Sequence, residues 1–241
     1  ALYDLVLHEV GHTFGLNHNF IASQLHTPEQ MNDPVLGATV GLTASVMDYT
    51  IPNISSDKNK QGLFFDIKPG LYDHWAIQYG YTPTENENKD NAVLQKILSA
   101  SDKRENRFMN DADDMRSVGR GIDPRANISD MSDDAMGYAE NNIKMVNNAL
   151  PKLLAKYSTS NQSYHELRSA YLTLTGHYSR SLNIISRYIG GIFVNRNFVG
   201  QDSKDKPFTP TPFNEQKRAM QLLTKYAFSK NAFKAPNDIF A

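Results

Sequence analysis

Residues 1–18 read ALYDLVLHEVGHTFGLNH, and within them His8, Glu9, His12, Gly15 and His18 fall in the spacing HExxHxxGxxH. Leu2, Leu5, Val6, Val10 and Phe14 recur around them at helical spacing, so the stretch is expected to be a helix buried along its apolar side. Residues i and i+4 share a helix face, so His8 and His12 present two imidazoles to one metal ion. Glu9 then stands beside the metal, where a carboxylate can take a proton from water whose pKa zinc brings to about 7. Gly15 is the residue type that ends a helix at positive φ at no steric cost, after which the chain turns and His18 returns as a third ligand. A single histidine is ordinary on a surface or in a core. Five positions that each have a mechanical task are read as a Zn2+ site with a catalytic base, Glu9.

Residues 45–49 read Ser45-Val46-Met47-Asp48-Tyr49, about thirty residues after that motif. The combination resembles the metzincin metallopeptidases, whose signature is HExxHxxGxxH followed by a methionine in a tight turn beneath the zinc. In metzincins of the astacin and serralysin type the turn has the form SxMxY. The resemblance therefore implies Met47 as the turn methionine and Tyr49 as a tyrosine that approaches the metal and stabilises the transition state. Three blocks, HEVGHTFGLNHNF, SVMDY and PGLYDHWAIQYGY, look like the Met-zincin domain of large bacterial zinc-dependent metalloproteases, many of them exported. All three lie in the first eighty-one residues, and the remainder is similar only in its helical character.

In that family a twisted sheet precedes the zinc helix, and its edge strand binds substrate. No such stretch precedes the motif here, so the chain is expected to be a piece of a longer protein, with a missing N-terminal part as its partner. The fold expected is mainly α, α+β at most: the lower half of a metzincin-like catalytic domain, zinc helix plus Met-turn, followed by a helical subdomain. Residues 1–85 would hold the zinc helix, third-ligand loop and Met-turn, and residues 86–241 the helical part packed on them. The function expected is zinc-dependent endopeptidase, with a polypeptide substrate. The alternative is a zinc-binding structural or interaction fragment without activity of its own, and hydrolysis of a non-peptide amide is a third reading. Retention of Glu9 favours the enzyme, because a purely structural site gains nothing from a carboxylate beside its first ligand.

Composition sets outer bounds. With 25 basic and 26 acidic side chains the net charge is -1, and no basic run points to nucleic acid. Cysteine is absent, which excludes a disulfide framework and a thiolate metal site within these residues. No run of about eighteen apolar residues is present, so no transmembrane segment is expected. The resemblance implies an exported bacterial protein, periplasmic, cell-surface or extracellular.

Residues 19–68, rich in Asn, Ser, Thr, Gly and Pro, read as an irregular layer under the metal. Asn19, Phe20 and residues 50–54 would be cleft wall. Leu71 to Tyr79 is predicted helical, with Leu71, Trp75 and Tyr79 on one face and Asp73 and His74 structural. Further helices are predicted over Ala92–Ser101, Ser132–Tyr157 with a break at Pro151, Tyr164–Ile189 and Asn214–Ser229. Met136, Ile143, Val146 and Leu150 form the apolar stripe of the second of these. IFVNRNFVG, residues 192–200, alternates as a short strand or hairpin. Asp111, Asp113 and Asp114, and Asp130, Asp133 and Asp134, are oxygen donors of the kind that bind calcium, but neither run matches an EF-hand loop. His165 and His177 read as structural.

Overall fold

The computed structural model describes residues 1–83, 87–114, 121–157, 163–199 and 206–233. The chain forms two compact units: Ala1–Asp134 with Gly191–Pro210, and Ala135–Gly190 with Thr211–Ala241. Residues 86–134 thus belong to the unit that carries the motif helix. The fold is mainly α, and no described helix is long and apolar enough to cross a membrane.

The first unit contains α1 (Leu2–Thr13), α2 (Pro34–Thr39), α3 (Leu71–Tyr81), α4 (Glu87–Leu98), α5 (Asp111–Asp114), and strands β1 (Ile192–Val194) and β2 (Phe208–Pro210). The strands pair antiparallel, Phe193 opposite Thr209. The alternation seen in residues 192–200 thus yields one three-residue strand, whose partner comes from further along the chain. Between α1 and α3 the chain is largely irregular, with 3-10 turns and the short α2. Asp33 starts α2 by accepting from Val35 N–H at 2.8 Å and Leu36 N–H at 3.1 Å, and Pro34 occupies the first turn.

The segment following the motif is the hub of this unit. Asn19 N–H donates to Met47 O at 3.0 Å, Phe20 N–H to Met109 O at 2.7 Å, and Ala44 N–H to Ala22 O at 3.0 Å. Asn19 and Phe20, expected in the cleft wall, are instead fully buried. The Asn19 amide is spent on the chain itself, donating to Arg107 O and accepting from Met109 N–H. A polar side chain satisfied in this way can lie inside without cost to the core.

Two expectations about helix faces fail. Leu2, Leu5, Val6, Val10 and Phe14 are exposed, between 44 and 74 %, and α1 buries only His8 and Gly11. On α3 the buried residues are Tyr72 and Asp73, while Leu71 and Tyr79 are exposed. Trp75 packs half-buried with Tyr72, Ala44 and Phe108, and its indole N–H donates to Ile97 O at 2.9 Å. In both helices the polar groups beneath the helix, which hydropathy ignores, select the face that turns inward.

The second unit contains α6 (Ala135–Ala149), α7 (Leu153–Tyr157), α8 (Tyr164–Ser186) and α9 (Phe213–Tyr226). Met136, Ile143, Val146 and Leu150 are buried against Tyr178, Leu182 and Ile185 of α8 and Leu222 and Leu223 of α9. A 3-10 turn at Leu150–Lys152 separates α6 from α7, because Pro151 lacks the N–H that a continuous helix requires. Ser163 caps α8, accepting from His165 N–H.

Candidate metal centre

Helix α1 ends in a Schellman arrangement. Leu16 N–H donates to Gly11 O at 3.1 Å and Gly15 N–H to His12 O at 2.9 Å, with Gly15 at φ +84°. No atom lies within 4 Å of where a Gly15 Cβ would be, so the backbone angle alone asks for glycine there. The turn also brings Leu16 O within 2.9 Å of His12 Nδ1.

Each of the three histidines uses Nδ1 for a hydrogen bond. His8 Nδ1–H donates to Val46 O at 2.7 Å, His12 Nδ1–H to Leu16 O, and His18 Nδ1–H to the Asp111 carboxylate at 2.9 and 3.0 Å. A ring whose Nδ1 carries the proton keeps the lone pair of Nε2 free. His8 Nε2 and His18 Nε2 are buried and have no hydrogen-bond partner. One ligand atom from each of the three rings lies within 4.8 Å of the others. Around tetrahedral zinc such atoms stand about 3.3 Å apart, so closing the set asks for a shift of under about 1 Å per ring. Burial is the largest influence on His8 and lowers its pKa, and the positive charge of protonated His12 or His18 would lower it further. The net lowering favours the neutral imidazole of His8, the form that binds metal.

The floor of the site is the turn at residues 45–49. Met47 is fully buried, and a Cβ added to Gly11 would meet its Sδ at 2.4 Å. Asp73, at the first turn of α3, holds the turn from below. Its carboxylate accepts from Ser45 Oγ at 2.5 Å, Val46 N–H at 2.9 Å and Gly70 N–H at 2.8 Å. Val46 therefore receives Asp73 on its N–H and His8 on its carbonyl. Gly70 lies so close to Ala44 O that a Cβ would overlap it at 2.1 Å. Burial, opposed by these three hydrogen bonds, raises the Asp73 pKa.

Such a methionine turn under a convergent histidine trio accompanies a match of the whole chain, residues 1–241, to a family model described as Met-zincin. The chain belongs to the Met-zincin family. No curated protein and no solved structure matches it. The family is of zinc metallopeptidase type, and this Met-zincin supplies three nitrogen donors of the borderline-soft kind that zinc takes, two of them orphaned inside the protein.

Tyr49 borders the Met-zincin centre. Its ring lies 4.5 Å from that of His18 and 5.1 Å from that of His8, and the residue is 42 % exposed. Partial burial, then the negative charges of Asp111 and Glu9, raise the phenol's pKa, so it keeps its proton at neutral pH. Glu9 is exposed on α1, and its charge acts on His8 as well as on Tyr49.

Two roles at the site escaped the sequence reading, that of Gly11 and, beyond the structural role expected of it, that of Asp73 at the Met-turn. Gly11 carries no role in that reading, and nothing in the local pattern announces a methionine thirty-six positions later. Asp73 carried a usable signal, an acid three residues after Gly70 at a helix start, which is a capping spacing; its second task at the Met-turn left no local trace. Asp111 read as a possible calcium donor, but it faces His18, and its neighbour Asp113 pairs with Arg196. Asp130 accepts from Ser23 and Gln24, and Asp133 from Arg104. His74 and His165 are exposed, and His165 and His177 lie on α8 in the other unit.

Proposed function

We propose that these residues form the zinc-binding half of an endopeptidase active site. His8, His12 and His18 hold Zn2+, which supplies Lewis acidity to the scissile carbonyl and to the attacking water. Glu9 accepts the proton of that water as it attacks and returns it to the leaving amine. Tyr49, protonated and beside the histidines, donates a hydrogen bond to the oxygen that gains charge. Met47 and Gly15 shape the site without touching substrate: one supports the helix from below, and the other turns the chain so that His18 reaches back.

The observation that carries the reading is the division of labour in the three rings, with Nδ1 engaged in each and Nε2 left without a protein partner in His8 and His18. The test is E9A in the intact natural protein, with an unfolded polypeptide as substrate. Zinc content should stay at that of the unaltered protein while proteolysis falls by about 10^3-fold. Hydrolysis within tenfold of the unaltered rate defeats the assignment of Glu9.

The exposed apolar face of α1 favours a second component. Leu2, Val6 and Val10 follow one another at i, i+4 and i+8 with no cover among the described residues. Within the proposal this face seats an N-terminal part of the same protein, which supplies the upper wall of the cleft. The same face supports the alternative, a zinc-stabilised interaction module, and the E9A experiment separates them because a module has no rate to lose. Export to the periplasm, cell surface or medium belongs to the proposal.

A further inference from the structure

The three histidines are not oriented alike. His8 and His12 give their Nδ1 protons to neutral backbone carbonyls, Val46 O and Leu16 O. Leu16 O belongs to the turn that ends α1, so His12 is aimed by its own helix. His18 lies beyond that turn, outside any helix, and what stands behind it is a carboxylate from 93 residues downstream. Both oxygens of Asp111 lie within hydrogen-bond distance of His18 Nδ1, at 2.9 and 3.0 Å, and the opposite nitrogen, Nε2, is buried and unpartnered.

We propose that Asp111 is the positioning residue of the metal centre: its carboxylate fixes the tautomer and direction of the His18 imidazole, so that Nε2 faces the ion. This rests on the reading of His8, His12 and His18 as zinc ligands. A carboxylate behind a ligating imidazole makes the ring a stronger donor and holds its plane, and losing such a partner typically weakens metal binding 10- to 100-fold. A loop histidine benefits more than a helical one, because no local backbone restrains its ring.

A purely structural role is the competing account, and the surroundings argue against it. Asp111 is itself about half exposed, and exposed ion pairs contribute little to folding. Its segment is held independently, by Asn19 on Arg107 O and Met109 N–H, by Phe20 N–H on Met109 O, and by the Asp113 to Arg196 ion pair. Removal of the Asp111 carboxylate should therefore leave the fold in place and loosen the metal.

The test is zinc affinity of the intact protein, stripped of metal and titrated with zinc against a chromophoric chelator. D111A should bind zinc 10- to 100-fold more weakly. D111N should fall between it and the unaltered protein, since an amide oxygen accepts the bond without the charge. The visible spectrum of the Co2+-substituted protein should change in D111A, and thermal unfolding of the metal-free protein should not. D111A with affinity within twofold and an unchanged Co2+ spectrum overturns the proposal. If D111A fails to fold, D111N decides: unaltered affinity overturns the proposal and a measurable loss supports it. H18A serves as reference, for if it keeps full affinity then the ligand assignment itself has failed, independently of Asp111.

Discussion

Replacing Gly11 with alanine probes the contact between the motif helix and the turn beneath it. The new Cβ would sit 2.4 Å from Met47 Sδ, more than about 1 Å inside an ordinary contact of about 3.5–4.0 Å. A thioether is flexible and could swing aside in an open site, but Met47 is fully buried, and in a close-packed interior its movement displaces neighbours. Overpacking of this kind costs about 1–3 kcal/mol. Alanine returns about 1 kcal/mol through its better helix propensity. The expected net loss is about 0–2 kcal/mol. Because His8 and His12 flank Gly11, lifting the helix off Met47 also stretches the 2.7 Å bond from His8 to Val46 O and weakens zinc binding. The decisive comparison repeats G11A in an M47A background. M47A itself costs about 2–5 kcal/mol, but with the sulfur gone the Gly11 substitution should stabilise, by about 0.5–1 kcal/mol. Urea unfolding of the four metal-free proteins measures this cycle. If G11A stabilises the protein with Met47 in place, the contact does not constrain the helix and the reasoning is refuted.

Two buried carboxylates give further expectations. Asp66, which accepts from Leu42 N–H at 2.6 Å and Thr43 Oγ at 2.9 Å, is pushed by burial to a pKa of about 7 from 3.8. An acid raised on folding binds its proton more tightly in the native state, so its contribution is full below about pH 4 and is lost as pH rises to about 7, by about 4 kcal/mol. Urea unfolding at pH 4.5 and pH 8 should show most of this loss, D66N should lack it, and an identical pH dependence in D66N would count against the assignment. Truncating Asp73 to alanine strips acceptors from Ser45 Oγ, Val46 N–H and Gly70 N–H at once. With about 1–3 kcal/mol for each unsatisfied buried donor and partial relaxation, D73A should lose about 3–5 kcal/mol. It should also bind zinc more weakly through Val46 and His8, and a loss below about 1 kcal/mol would show that the turn holds itself.

What could be read from the sequence was what depends on spacing along one element. His8 and His12 come together because a helix repeats every 3.6 residues, and the stripe from Met136 to Leu150 and the break at Pro151 follow from the same geometry. What could not be read was which side of α1 and α3 turns inward. On α3 the inward direction is set by Asp73 reaching Ser45 and Val46, and on α1 by His8 reaching Val46 and by the notch at Gly11. Those partners lie 27 to 38 residues away. Hydropathy then favours Leu2, Val6 and Val10, and the structure leaves them exposed. Asp111 is the extreme case, since it meets His18 across 93 residues of intervening chain.

That span has a meaning for synthesis. At about 5–20 residues per second, His18 is added to the chain roughly 5–20 s before Asp111. The nascent chain first displays three accessible imidazoles and a glutamate without the carboxylate that steadies the last of them. If the centre is hydrolytic as proposed, a weaker early grip on zinc would limit its action inside the cell that builds it. On the proposed roles of His18 and Asp111, the site reaches its full affinity for zinc only after residues 104–114 have folded against the motif, so the order in which the residues are made sets when the centre is complete.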